Sequence, residues 1–287
     1  MRSFEYAENV QAEIFSALER TYTCIENREK LEKIRAEYEQ DASMDFSKVV
    51  RFSDELSLQT GVNGYTMYAL TLILLAEISE KQYALNGISQ EMWKRNFLDL
   101  SYKIEECKLV KGVVGVFCPD WYGRFFAVTR FSFGKLQFEK DVVPCDYCKN
   151  GVELSQGDTV VNMHIPRTGE RLTPQDVEYA CAKASEFFKE KYLLDKIVFV
   201  CHSWLLYPEN KKMLSKDSNL YSFIDRFDVI QSDEDRAYRD AWRLFDMEYK
   251  GDADALPQNT SLRKAYAQRI KSGQPTGWGY GVWVYEA

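Results

Sequence analysis

Apolar residues along the first part of the chain fall at helical intervals. Val10, Ile14, Phe15 and Leu18, then Leu31 and Ile34, recur at intervals of three and four among Glu, Lys and Arg, which predicts amphipathic helices. Ser53-Asp54-Glu55 resembles a cap and predicts a helix start, Thr66 to Ile78 predicts a core helix, and Ser89 is placed to cap a further one. Trp93, Phe97, Leu100 and Ile104 share one face of that last segment. Residues 1 to about 106 are therefore expected to be helical, with their aromatic side chains used for packing.

The pattern then shifts from helical spacing to alternation. "LVKGVVGVFC" reads as a strand, and "GRFFAVTRFSFGKLQFEKDVV" as two antiparallel strands joined near Phe133-Gly134-Lys135, where glycine permits a tight turn. "DTVVNMHIP" predicts a strand stopped by Pro166. Thr173-Pro174 opens a helix to Tyr192, with threonine as N-cap and proline at the first helical position. "KIVFVCHSWLL" is the next strand, and strand, helix, strand in this order predicts a right-handed parallel βαβ unit. A short helix is expected around Ser218 to Arg226, an acidic-then-aromatic helix from about Asp233 to Tyr249, and a basic helix capped by Thr260 or Ser261 and ending at Gly273. The glycines alternating with aromatics in "GWGYGVWVYE" predict a last strand with one crowded face.

Composition narrows the classes. Of the 287 residues 45% are apolar and 14% aromatic, enough for a real core. A net charge of −7 with both signs interspersed argues against nucleic-acid binding, which needs a basic face. No signal-peptide pattern opens the chain, and "YTMYALTLILLAEI" is too short and too interrupted to cross a bilayer, so a cytoplasmic protein with no membrane partner is expected. Seven scattered cysteines suggest reduced thiols. Cys145 and Cys148 in "PCDYCKN" have metal-ligand spacing, but no second pair completes a structural zinc site, and two thiols in a loop remain the alternative.

The run of "GKLQFE", "GDTVVNMHIPRTGERLTPQDV", "CHSWLLYP", "DSNLYSFIDRFDVI" and "LPQNTSLRKAYAQRIKSGQPTGWGYGV" resembles the GNAT-like C-terminal domain that follows a helical N-acyltransferase N-terminal domain. The resemblance covers about residues 123 to 287 closely, and the N-terminal half by helical character and "PDWYGR". It implies an α+β fold: a helical N-terminal domain, 1–122, followed by a GNAT-like mixed β-sheet flanked by helices, 123–287. The expected activity is acyl transfer, N-acetyl or N-acyl, from acetyl-CoA or another acyl-CoA to an unidentified amine, with the helical half on the acceptor side. The diphosphate would rest on the helix opened by Thr173, because unpaired N–H groups and the helix dipole favour anions. Arg167, Thr168, Gly169 and Arg171 in the preceding loop would supply charge and backbone donors. The loop holds one glycine where acetyltransferases carry two, and an ordinary solvated turn is the alternative. Ser203, Ser218 and Asn219 would bond the pantetheine arm, or Ser218 and Asn219 would simply cap the short helix.

Both histidines, His164 and His202, stand where a β-branched run is about to stop. On neighbouring parallel strands they would lie at the same sheet end, where ligand clefts of α/β sheets form. Acyl transfer to an amine needs orientation and a base that works near neutrality, which suits histidine. His202 is the first candidate and His164 the second, a satisfied structural imidazole being the alternative for each. Tyr207 and Tyr221 are candidates for protonating the departing thiolate. His202 should share a face with Val200 and Trp204, His164 with Asn162, and Cys201 with Phe199 and Ser203. Trp121 and Tyr122 would wall an acceptor pocket or pack as core. Two other functions are carried: a catalytically inactive binding or assembly module, and a thiol hydrolase built on Cys201 with His164 from the neighbouring strand. The oligomeric state is not legible.

Overall fold

The computed structural model describes residues 6–149 and 151–286. The first five residues, Asn150 of the "PCDYCKN" segment and Ala287 lie outside the described residues. Two compact units divide the chain, one of residues up to Phe131 with Arg167–Gly169, the other of Ser132–Pro166 with residues from Glu170 on.

The first unit is helical: α1 Glu8–Tyr22, α2 Ile25–Gln40, α3 Ser47–Thr60, α4 Gly64–Leu85, α5 Gln90–Phe97, α6 Asp99–Lys111 and the single turn α7 Gly123–Phe126. Helix α4 is apolar on every side along its first half, with Glu77, Glu80 and Lys81 further on, and packs against α1, α2, α3, α5 and α6, as a helix without a continuous polar face must. Its buried polar groups find partners within the unit. Ser53 donates to Thr71 Oγ1 at 3.0 Å, Trp93 Nε1 to Ser79 Oγ at 2.9 Å, and Tyr83 Oη to the Phe125 carbonyl at 2.9 Å. Ser53 is therefore inside α3 and caps nothing, whereas Ser89 does cap α5, accepting from Met92 N at 3.2 Å. The stripe of α1 that packs is Val10, Ile14, Ala17 and Thr21; Phe15, expected inside, is 50% exposed. "LVKGVVGVFC" is not a strand: α6 runs to Lys111, and the residues after it form a loop strung along α4 by Val116 N to Tyr65 O at 2.9 Å. Gly115 comes so close that an added Cβ would stand 2.4 Å from the Tyr65 carbonyl carbon.

Six strands, all but the first half of β1 in the second unit, form one sheet in the order β1-β2-β5-β6-β8-β7: β1 Arg130–Phe133, β2 Leu136–Val142, β5 Thr159–His164, β6 Val198–Ser203, β7 Asp228–Asp235 and β8 Thr276–Val284. A separate hairpin, β3 Tyr147–Lys149 with β4 Val152–Leu154, packs on one face through Tyr147, Val152 and Leu154 against Val160, Val198, Val200 and Val282. Gly134, at φ +55°, makes the two-residue link from β1 to β2. Helix α8, Pro174–Tyr192, joins β5 to the parallel β6 with Thr173 as N-cap. Short helices α9 Pro208–Met213 and α10 Asn219–Ile224 follow. The segment expected to be helical from Asp233 begins instead as the end of β7, an edge strand whose residues Gln231 to Glu234 are all exposed and so hide its period. After it come one turn, α11 Trp242–Phe245, and α12, Ser261–Lys271, which is capped by Thr260. Ala241, Phe245, Leu256, Tyr266, Ala267 and Ile270 pack there as a second small core. Trp204 lies beyond β6 in a 3₁₀ turn, edge-on to Tyr266 at 5.8 Å, and so leaves the face that His202 keeps.

The glycines of β8 face one side. A Cβ on Gly277 would lie 2.1 Å from the Asp233 carbonyl oxygen, and one on Gly279 2.3 Å from that of Leu206. Gly279→Ala is expected to destabilise the sheet unit by about 3 kcal/mol, because backbone cannot yield as a side-chain tip can. Thermal unfolding checks this; an unchanged Tm would contradict the packing.

Candidate functional site

Strands β5 and β6 pair in parallel at Val161 with Phe199 and at Asn162 with Val200, and there the pairing ends. Beyond that point Met163 and His164 stay registered with β2, and Cys201, His202 and Ser203 with β8. Each strand is thus held by its outer neighbour while the two part from one another. The backbone groups turned toward the gap are left to other partners, since buried N–H and C=O groups require them.

Register assigns the faces. Gln137 and Glu139 of β2, Asn162 and His164 of β5, His202 of β6 and Trp278 and Tyr280 of β8 share one face; Cys201 and Phe199 point to the other. The polar row is bonded within itself. His164 Nε2 lies 2.8 Å from Glu139 Oε1, the carboxylate side chain being 5% exposed and the imidazole 16%. Asn162 Nδ2 donates to Asp141 Oδ2 at 2.9 Å, while its buried Oδ1 and the buried Tyr280 hydroxyl have no hydrogen-bond partner among the described residues. His202 is exposed over part of its surface and meets Trp278 edge-on at 4.3 Å. Burial lowers its pKa below the usual histidine range, with the Asp240 charge acting the other way.

Both histidines therefore do flank the gap, on one face. The tyrosines do not join them. Tyr207 is buried and its ring lies under Gly277, on the opposite face of the sheet. Tyr221 is half-buried in α10 with the Lys211 ammonium 5.2 Å from its ring centroid. Ser203 Oγ accepts from Leu205 N at 3.2 Å and Ser218 Oγ from Tyr221 N at 3.1 Å, so both are engaged as turn and helix caps, with Asn219 opening α10. Tyr122 is a core residue of the helical unit, bonded to Asp99 at 2.9 Å, and the Arg130 guanidinium stacks 3.8 Å over the Trp121 ring.

Gly169, exposed and at φ +79°, bends the loop from β5 to α8. Arg167 and Thr168 are half-buried there, and Arg171 is exposed with its carbonyl accepting from Lys135 Nζ at 2.9 Å. The α8 N-terminus is closed by its own residues: Thr173 Oγ1 accepts from Asp176 N and donates to Asp176 Oδ2 at 2.7 Å, and Pro174 has no N–H. Thr173 and Lys135 hold the Asp176 carboxyl below its usual range. An anion at this helix end finds fewer open donors than the Thr173-Pro174 motif suggested, and depends more on the loop itself.

Glu139 is the residue that sequence reasoning passed over. In "KLQFEKDVV" the alternation was visible, and a Gln, Glu, Asp series on its polar phase was the signal that this face is not simply solvent.

Family models place the chain. The N-acyltransferase N-terminal domain matches residues 3–128 and the GNAT-like C-terminal domain residues 131–283. The chain belongs to this GNAT-like acyltransferase family. Among solved structures, an acyltransferase in complex with decanoyl-CoA and teicoplanin is similar at 20% identity and TM-score 0.66, covering 79% of this chain and 69% of that one. An acyltransferase with decanoyl-CoA alone (20% identity, TM-score 0.65, 79% and 68% covered) and one with CoA and 10C-teicoplanin (20%, 0.66, 79% and 69%) share the fold to the same degree. No curated protein matches the sequence. The GNAT-like mixed sheet with its flanking helices is thus as the sequence resemblance implied, and no helix among the described residues is long and apolar enough to span a membrane.

Burial and strand register decide what the cysteines can do. Cys201 is buried on the face away from His164 and His202, and burial pushes its thiol up to about 12, so a Cys201–His164 thiolate pair does not exist. Cys145 Sγ meets Gln231 Nε2 at 3.5 Å and Cys148 Sγ meets Glu153 at 3.7 Å; among the described residues no group of three or more His, Cys, Asp or Glu is placed to hold a metal. Iodoacetamide at neutral pH, read by peptide mass mapping, is expected to modify the exposed Cys24 and Cys148 and to spare Cys201 in the folded protein. Rapid labelling of Cys201 would contradict this arrangement.

Proposed function

We propose that this protein is an acyl-CoA-dependent N-acyltransferase whose donor thioester lies where β5 and β6 part. The parting itself carries the reading: it leaves backbone groups of Met163, His164 and Cys201 to Ser203 turned to a gap of the kind a pantetheine arm, with its two amides, can fill. The similar structures that hold acyl-CoA and CoA support it. In this reading Arg167 to Arg171 contribute loop N–H groups and guanidinium charge to the diphosphate, with Thr173 at the base of the loop. Ser203 and Asn219 flank the pantetheine, and Ser218 fixes α10 beside it.

His164 takes first place as the base ahead of His202, because a buried carboxylate orients it. The acceptor ammonium gives one proton to the base, and the amine lone pair then forms the C–N bond at the thioester carbonyl. The adduct loses its second N–H proton as the C–S bond breaks, and coenzyme A departs as the thiol. Of the two tyrosines Tyr221 remains the candidate to donate to that sulfur, since Tyr207 is packed beneath β8 on the other face.

Isothermal titration calorimetry with acetyl-CoA, octanoyl-CoA, decanoyl-CoA and free CoA tests the donor. Micromolar binding of one or more acyl forms, lost in the Arg167→Ala, Arg171→Ala double variant, is expected. No heat with any of them would leave an inactive binding or assembly module on the same fold. With a bound donor, His164→Ala is expected to slow thioester cleavage about 10²- to 10⁴-fold while leaving donor Kd nearly unchanged. His202→Ala should cost less; the reverse order would make His202 the base.

A further inference from the structure

We infer that Glu139 is a positioning residue that orients His164 and stabilises its protonated form during acyl transfer. The inference rests on the acyltransferase reading for its chemistry, and on the strand register for its geometry. Glu139 and His164 belong to adjacent antiparallel strands, β2 and β5, and project from the same face one register step apart, Glu139 opposite Asn162 and Gln137 opposite His164. A diagonal pair at that spacing is within reach of long side chains, and here Oε1 and Nε2 are 2.8 Å apart. A carboxylate can accept and cannot donate, so Nε2 carries the hydrogen and the neutral ring has its lone pair on Nδ1. A proton taken at Nδ1 makes an imidazolium whose Nε2–H is already directed at a buried negative charge.

Burial makes the contact matter. The Glu139 side chain is 5% exposed, in an environment where an ion pair is screened far less than at a surface, whereas the partly exposed His202 has Trp278 as its edge neighbour and no carboxylate within hydrogen-bond distance among the described residues. Other ionisable groups on this face include Asp141, bonded to Asn162, His202 and Tyr280, with Tyr147 on the covering hairpin, and Glu139 and His164 each interact with further groups besides one another. Asp141 lies opposite Val160, four residues along β5 from His164, and bonds Asn162 in place of the imidazole.

The test uses the full chain with ¹⁵N- and ¹³C-labelled histidine. Two imidazoles give two sets of signals, assigned with His202→Asn. In the wild type the His164 ring is expected as the Nε2–H tautomer with a raised pKa. Glu139→Gln should lower that pKa by about one unit or more while leaving the His202 titration in place. In parallel, decanoyl-CoA cleavage in the presence of phenethylamine, followed by loss of thioester absorbance, should fall roughly 10- to 100-fold. Its acid limb should move to lower pH, the donor Kd should stay near that of the wild type, and Glu139→Asp should recover part of the rate. An unchanged His164 titration in Glu139→Gln overturns the inference, and so does a loss of rate with an unmoved pH profile, which marks a structural role alone. Absence of thioester cleavage by the wild type would instead overturn the acyltransferase reading, and the histidine titration would still report whether Glu139 holds His164.

Discussion

Two parallel strands that exchange hydrogen bonds for part of their length and then diverge cannot do so by themselves. Each must be held by something else, or the freed backbone would simply re-pair. Here β2 holds β5 through His164, and β8 holds β6 through Ser203. The gap is thus built from antiparallel pairings on either side of it. The rigidity of the outer strands fixes where β5 and β6 stop meeting, at Asn162 and Val200.

The two faces of the sheet are treated differently for the same reason. On one, β8 presents Gly277, Gly279 and Gly281 so that the Leu206 and Tyr207 segment and Phe227 can press against its backbone, which locks the turn after β6. On the other, the apolar patch under the β3–β4 hairpin gives way along β2 and β5 to a polar row. A Glu139–His164 contact and an Asp141–Asn162 contact occupy adjacent positions there, next to the place where the strands part. Burying such groups is costly unless each is bonded, and the Asn162 Oδ1 and Tyr280 hydroxyl are buried atoms of the row with no hydrogen-bond partner among the described residues.

The βαβ unit was legible because its signals are local: β-branched runs ended by proline or by a polar turn, and a Thr-Pro cap with Asp three residues on. The glycine and aromatic alternation of β8 was legible because a missing side chain on alternate positions has few other causes. β7 was not, since an acidic edge strand exposes on both faces the residues that would mark its period. Gly112 to Cys118 failed for the opposite reason, being apolar from contact with α4 and not from pairing in a sheet. At the site, the histidines could be found by their position at strand ends. Glu139 could not be paired with one of them, because that contact depends on the register between β2 and β5, which no local spacing specifies.

The central claim is that the parting of β5 and β6 receives the donor. Hydrogen–deuterium exchange with and without decanoyl-CoA tests it directly, by following the amides of residues 159–166 and 198–206. Slower exchange in both segments on addition of donor, with the β7 edge unaffected, is the result this account predicts. Protection elsewhere, with these two segments unchanged, would contradict it.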